Sequence, residues 1–171
     1  MSDEEFRAFT VARGGQLYRT ACLLTGGDTH LAEDLVQESL ARVYAQWRRT
    51  SWFSGRPRIE NPAGYAHTVL VRVFLSHRGR RSSGERPVET VPDEAVHESD
   101  PALRLALLDA LGRLAARDRA VLVLRFWEDR TVEETAEVLR STPGAVRTRT
   151  SRALGRIRVL LGDGLGELAD R

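Results

Sequence analysis

Apolar residues recur every three to four positions along most of the chain, which is the period of a helix with one buried face. In the first half this pattern predicts three helices, over residues 4–24, 30–48 and 63–78. The glycine pair Gly26-Gly27 ends the first helix, and Asn61-Pro62 begins the third. The β-branched residues all fall on helical periods, so the pattern predicts no strand. We therefore expect an all-α fold.

The second half begins with two more predicted helices. Asp100-Pro101 is a typical helix start, and leucines follow it at helical spacing over residues 103–114. Asp118 starts a short helix over residues 119–127, which contains the almost entirely apolar run AVLVLRFW. A helix that is apolar on all sides is buried, so this one is expected to form the floor of the C-terminal half.

The stretch over residues 131–161 predicts two further helices joined by a short turn. Thr131 and Glu134 have the spacing of a capping box, which starts the first of them. The turn lies at Ser141-Thr142-Pro143-Gly144, where Thr142 suits the N-cap and Pro143 the first position of the next helix. Two helices joined in this way have the layout of a helix-turn-helix.

The second of these helices is strongly basic on its outward side. Six arginines and no acid occur between residues 140 and 158. Arginine pairs with phosphate or with the O6 and N7 edge of guanine, so the face predicts DNA binding, with a merely solvated face as the alternative. The absence of a compensating acid favours DNA. The candidate contacts are Arg147, Thr148, Arg149, Ser151 and Arg152.

Charge is segregated along the chain although the formal net charge is only +2. All 26 basic residues are arginine. Residues 84–101 hold three prolines, six acids and one arginine, with no apolar stripe, which is typical of a flexible linker. We therefore predict two small helical domains, over residues 1–83 and 102–171, joined by this linker.

Two other surfaces of the first domain carry candidate chemistry. Asp34, Gln37 and Glu38 lie within one helical turn and can form one acidic, hydrogen-bonding patch, although spacing alone favours a solvated face. In the irregular stretch after residue 49, Trp52 and Phe53 stand among arginines. Such rings can stack on unpaired bases, or they can pack the loop onto the core, and the sequence leaves both open.

Several functional classes are disfavoured. No apolar run approaches the roughly 20 residues of a membrane span, and the acidic N-terminus lacks a signal core, so a cytoplasmic protein is expected. Cys22 is the only cysteine, and the four histidines are scattered without metal-ligand spacing. Gly26-Gly27 has no Walker pattern around it. We expect no enzymatic activity, no metal and no cofactor.

Two separated stretches resemble one protein family. AEDLVQESLARVY, over residues 32–44, resembles the second conserved region of bacterial sigma factors. RDRAVLVLRFWEDRTVEETAEVLRSTPGAVRTRTSRALGRIRVLL, over residues 117–161, resembles the fourth. The short form with only a linker between them is similar to the extracytoplasmic-function group. The ending FLSHRGRRSSGE, over residues 74–85, is similar to an actinobacterial subset of that group.

The resemblance implies a promoter-specificity subunit of RNA polymerase. Asp34, Gln37 and Glu38 match residues that dock on the beta-prime clamp helices of the core enzyme, and the beta flap is a second implied contact. Such factors commonly pair with an anti-sigma protein. The candidate contacts in the minus-thirty-five region are those named above on the basic helix. Those in the minus-ten region are Trp52, Phe53, Arg72, Arg78, Arg80 and Arg81.

One departure from the family bears on the turn: Arg140 stands where a glycine is common, which implies a slightly longer preceding helix. The leading alternative function is a stand-alone helix-turn-helix regulator. Such regulators are usually dimers on palindromic sites, and no helix is left over for dimerisation. An enzyme acting on nucleic acid is a third possibility, for which the chain offers no recognisable site.

Overall fold

The computed structural model describes residues 2–52, 59–80 and 100–169. No strand occurs in these ranges, which confirms the all-α class. None of the helices they contain is both long and apolar enough to span a bilayer. A π-helical turn, Val123–Trp127, continues the fifth helix. The α-helices are α1 (Asp3–Thr25), α2 (Thr29–Trp52), α3 (Pro62–Arg80), α4 (Pro101–Arg113), α5 (Ala116–Leu122), α6 (Val132–Leu139) and α7 (Pro143–Ala169).

The helices begin and end at residues that satisfy free backbone groups. Thr131 and Glu134 form the predicted capping box, in which the Thr131 hydroxyl accepts from the Glu134 amide at 3.1 Å. The carboxylate of Asp100 accepts from the Ala102 amide at 3.0 Å and caps α4. Gly26 ends α1 in the left-handed conformation, at φ 65°.

Four predicted boundaries were wrong. The basic helix does not end at residue 161, because α7 continues to Ala169. The second helix does not end near residue 48: α2 continues to Trp52, because no glycine or proline interrupts it before that point. The fifth helix begins at Ala116, so Asp118 lies in its first turn, where a carboxylate favours the positive helix end. Arg140 does not lengthen α6, because its own backbone takes the left-handed conformation, at φ 50°.

Helices α1, α2 and α3 form an N-terminal bundle. Its core contains fully buried large side chains from all three helices, including Leu17, Leu35 and Phe74. At one end, aromatic rings close the bundle: Phe6 lies with its ring centroid 4.9 Å from that of Tyr44 and 5.4 Å from that of Trp47. This packing fixes the outward side of α2, on which the acidic patch lies.

Helices α4 to α7 form a C-terminal bundle. Leu111 and Leu114 of α4 and Ile157 of α7 belong to its buried cluster. The predicted floor helix is buried only in part: Val121 and Leu124 are fully buried, whereas Phe126 and Trp127 at its end are 60% and 47% exposed. Helix α7 packs against α4, α5 and α6, which leaves its opposite side at the surface.

The two bundles are in direct contact. Val121, Leu124 and Leu139 of the C-terminal bundle belong to the same buried cluster as Leu17 and Leu70 of the N-terminal bundle. Helix α1 contacts α4 and α5, and α3 contacts α5 and α6. All but the last two residues of the predicted linker lie outside the described residues, so its boundaries stay a prediction.

Candidate nucleic-acid and protein interfaces

The outward side of α7 is exposed along the whole helix-turn-helix. Val146, Ala153 and Ile157 are buried against the bundle, as the apolar stripe predicted. The opposite side exposes Ser151 and Arg152. The arginines on this side are exposed to solvent, so a DNA duplex can reach them.

The other three candidates on α7 have partners within the protein. Arg147 lies 3.3 Å from Glu133 of α6, and both side chains are more than 60% exposed. The Thr148 hydroxyl donates to the Gly144 carbonyl at 3.1 Å. Arg149 differs from its neighbours, because its guanidinium is paired with the Asp118 carboxylate of α5.

The turn between α6 and α7 is held by local hydrogen bonds. The Ser141 amide donates to the Ala136 carbonyl at 2.9 Å, which closes the end of α6 around the left-handed Arg140. The Thr142 hydroxyl then accepts from the Ala145 amide at 3.2 Å and caps α7. At the other end of α6, the backbone amide of Thr131 and then its hydroxyl lower the pKa of Glu134. The hydrogen bonds of Ser141 and Thr142 fix the angle at which α7 leaves the turn.

The acidic patch on α2 is at the surface. Asp34 and Gln37 are exposed, and Glu38 is half-buried with its carboxylate 2.5 Å from the guanidinium of Arg42. One turn further along, α2 and α1 enclose an open apolar groove, lined by Phe6 and Leu40 among others. The patch therefore offers carboxylate and amide groups beside an apolar surface, a combination that suits a protein partner.

The structure describes the side chain of one of the six candidates for the minus-ten region. Trp52 ends α2, and Arg78 and Arg80 lie in the last turn of α3, but the described side chains do not include theirs. Phe53 and Arg81 lie outside the described residues. The sixth, Arg72, is half-buried, and its guanidinium donates to main-chain carbonyls near the end of α6.

The sequence did not predict a buried polar cluster between the bundles. The hydroxyl of Thr20 donates to the Glu128 carboxylate at 2.6 Å, and Nδ1 of His67 lies 2.8 Å from the same oxygen. Burial raises the pKa of Glu128, but the bonds from His67 and Thr20 outweigh it and hold the pKa below its usual value of 4.5. The cluster joins α1, α3 and the segment after the π-helical turn.

Two models of protein-family regions match the chain. The model described as Sigma-70 region 2 matches residues 10–84, and the model described as Sigma-70, region 4 matches residues 104–157. The RNA polymerase sigma-E factor of Streptomyces avermitilis is 34% identical over 156 residues, which cover 90% of this chain and 83% of that protein. The chain belongs to the extracytoplasmic-function sigma factors.

A second relative agrees with this assignment. The ECF (extracytoplasmic-function) RNA polymerase sigma factor SigL of Mycobacterium tuberculosis is 30% identical over 160 residues, which cover 91% of this chain and 88% of that protein. The region 2 match contains the acidic patch of α2, and the region 4 match contains the outward face of α7 as far as Ile157. The stand-alone regulator is therefore not favoured.

Solved sigma factors share the fold of this one. RpoE from Bartonella quintana, in complex with the anti-sigma factor NepR, has a TM-score of 0.69 at 22% identity, covering 93% of this chain and 98% of that chain. CnrH, in complex with the cytosolic domain of CnrY, has a TM-score of 0.62 at 21% identity, covering 95% and 90%. At this level of sequence identity, the similarity shows only that the proteins share a fold.

Proposed function

We propose that this sigma factor binds core RNA polymerase through Asp34, Gln37 and Glu38, and directs it to promoters through two DNA-binding surfaces. The observation that carries the proposal is the exposed arginine face of α7 within the region 4 match, on the same chain as an exposed acidic face within the region 2 match. The protein contributes promoter recognition and catalyses nothing itself. Acting with polymerase, it would work in the cytoplasm.

The docking step rests on charge and geometry. Carboxylate and amide groups that face a basic coiled coil, such as the beta-prime clamp helices, form charge-assisted hydrogen bonds. Asp34 and Gln37 are exposed and available for such bonds. Arg42 holds the Glu38 carboxylate beside them, so this acid would act through its remaining acceptor positions. The beta flap would be a second contact, made by the C-terminal bundle.

The minus-thirty-five element would be bound in its major groove by α7. Arg147, Thr148, Ser151 and Arg152 are exposed and would contact bases or phosphates. For Arg149 we propose a different role, in which its pair with Asp118 positions the helix.

The minus-ten element would be bound by the basic end of α3, by Trp52 at the end of α2 and by the next residue along the chain, Phe53. Unpaired bases stack on aromatic rings while cations hold the phosphates, and these contacts must offset an unpairing cost of a few kcal/mol. We assign to this surface Trp52, Phe53, Arg72, Arg78, Arg80 and Arg81.

An anti-sigma protein is a further proposed partner. The family resemblance implies one, and two structural neighbours were solved with theirs. A protein that silences this factor would have to cover the acidic face of α2 or the arginine face of α7.

The docking face can be tested with a double variant. Asp34→Arg with Gln37→Ala reverses one charge and removes one amide on α2, so co-elution with purified core polymerase in gel filtration should be lost. Glu4→Arg with Gln16→Ala makes the same two changes on α1 and serves as the matched control. Binding of the duplex minus-thirty-five element should remain intact in both proteins.

The outcomes separate the two leading functions. Loss of co-elution in the α2 variant alone supports docking through this face. A variant that still supports transcription in a reconstituted assay shows that the face is elsewhere. A wild-type chain that binds duplex DNA but never co-elutes with core polymerase points to a stand-alone regulator.

A further inference from the structure

One ion pair joins the two helices of the helix-turn-helix to each other. The Glu133 carboxylate of α6 lies 3.3 Å from the Nη2 atom of Arg147 in α7, and the two residues are 14 positions apart. The turn between them is held by the hydrogen bonds of Ser141 and Thr142. The carboxylate therefore has a defined place beside the start of the recognition helix.

Glu133 differs from the other acids of α6. This helix exposes Glu133, Glu134 and Glu137, and its sequence contains no arginine. The Glu134 carboxylate accepts from the Thr131 amide at 2.8 Å and is used in the cap of the helix. Glu137 pairs with no arginine in the described part of α7. Among the described residues, Glu133 is thus the acid of α6 with a partner on the recognition helix.

The two partners occupy positions that face different parts of a duplex. Arg147 is the fifth residue of α7, and the N-terminal residues of a recognition helix are those that contact base edges. Glu133 is the second residue of α6, and the first helix of a helix-turn-helix crosses the phosphate backbone. A carboxylate repels phosphate, so Glu133 should weaken binding to every DNA sequence. Its contact with Arg147 offers a role that offsets this repulsion.

The pair leaves Arg147 able to read a base. A guanidinium has five N–H donors in a planar fork, and the contact with Glu133 involves the Nη2 atom. Nη2 carries two hydrogens, one on each edge of the fork that it shares. Whichever hydrogen Glu133 accepts, the other edge keeps two parallel donors. Two parallel donors match the O6 and N7 acceptors of guanine.

Holding the guanidinium favours base reading over phosphate binding. An arginine that is not held can bond to any phosphate within reach, and such bonds carry no sequence information. In solvent the exposed pair contributes little, but when α7 enters the groove the loss of water strengthens the attraction between the two charges. A held side chain also loses less freedom on meeting its target. Contact with the correct base is then favoured over contact with the backbone.

We propose that Glu133 is a positioning residue for base recognition, whose carboxylate holds the Arg147 guanidinium towards a guanine of the minus-thirty-five element and away from phosphate. The proposal rests on the proposed function, since it needs α7 in the major groove of promoter DNA. Glu133 itself contacts no base in this arrangement. The preference for guanine at one position then depends on two residues from different helices.

The test measures base preference with the full chain bound to core polymerase. The wild-type holoenzyme first selects its preferred duplex from a randomised library. Fluorescence anisotropy at one salt concentration then gives the affinities for this duplex and for each single-base-pair substitution in its minus-thirty-five region. Glu133→Ala should lower the preference for guanine at one position about tenfold, within the roughly 5–150-fold discrimination that a bidentate pair provides.

Glu137→Ala is the matched control, because it removes the same charge from an exposed position of the same helix. Both variants should bind unrelated duplexes more tightly, since each removes one negative charge near the phosphates. The guanine preference should fall in Glu133→Ala alone. A purely structural role of Glu133 would instead lower the affinity by one factor for all duplexes.

Arg147→Ala separates an indirect role of Glu133 from a direct one. This variant should lose the same guanine preference, and adding Glu133→Ala to it should change the preference no further. The proposal is overturned by an unchanged preference in Glu133→Ala, by an equal loss in Glu137→Ala, or by a further loss in the double variant. A guanine preference that does not depend on Arg147 also overturns it. A wild-type holoenzyme with no base preference in the minus-thirty-five region contradicts the proposed function instead.

Discussion

The guanidinium of Arg149 lies 2.6 Å from the Oδ1 atom of Asp118, and this ion pair joins the recognition helix α7 to α5. Both side chains are largely shielded, with 35% and 22% of their surface exposed, whereas the pair between Arg147 and Glu133 is mostly in solvent. A shielded pair holds its geometry better than an exposed one, because water and salt screen it less. Arg149 therefore fixes the orientation of α7 against α5.

The first prediction concerns this pair. Arg149→Gln leaves Asp118 without its cation, so the free energy of unfolding should fall by about 1 kcal/mol. The affinity for DNA should also fall, and by the same factor on every DNA sequence. Urea denaturation and binding to two unrelated promoters measure both effects. Arg156→Gln, at an exposed position of the same helix, is the control and should leave stability unchanged. A loss confined to one promoter would show that Arg149 reads bases.

The second prediction concerns Arg152, which is exposed on the outward face of α7. If it reads a base, Arg152→Ala should cost about 1–3 kcal/mol of binding on the cognate promoter and much less on others. Fluorescence anisotropy with matched duplexes measures this at a fixed salt concentration. An equal loss on every sequence would mean that Arg152 holds phosphate only, and no loss on any of them would remove it from the interface.

The third prediction concerns acid. Because the folded protein holds the pKa of Glu128 below 4.5, the bonded carboxylate stabilises the folded state above pH 4.5, and this contribution is lost as the pH falls through the folded pKa. The free energy of unfolding of the wild type should therefore fall below pH 4.5, by up to about 1.4 kcal/mol per pH unit for this proton. Glu128→Gln should have a shallower slope. Identical slopes would show that the carboxylate is not bonded in solution.

The helix-turn-helix was predictable because its determinants are local. The capping box of Thr131 and Glu134, and the start of α7 at Thr142 and Pro143, are each written within a few residues, and the structure has all of them. The apolar stripe of α7 likewise needs only the helical period. Local hydrogen bonds and periodicity can be evaluated without knowing where the rest of the chain goes.

The contact between the bundles was not predictable in this way. Thr20 and Glu128 are 108 positions apart, and no local pattern pairs them. Arg119 is the first residue of the helix predicted to be buried for its apolar run, and its guanidinium donates to the carbonyl of Leu24, 95 positions away, as well as to that of Gly112. Arg72 was predicted as a DNA contact, which remains a proposal, and its bond to α6 depends entirely on how the bundles pack.

The fourth prediction concerns Arg140, where the sequence departs from the turn glycine of the family. Its φ of 50° is left-handed, which costs a side-chain-bearing residue roughly 1–2 kcal/mol, while glycine adds unfolded-state freedom of roughly 0.5–1 kcal/mol. Arg140→Gly should therefore stabilise the protein by about 0.5–1 kcal/mol in urea denaturation. Arg156→Gly, inside α7, should instead destabilise it by about 1 kcal/mol. Destabilisation by both would show that the exposed Arg140 side chain contributes more than its backbone strain costs.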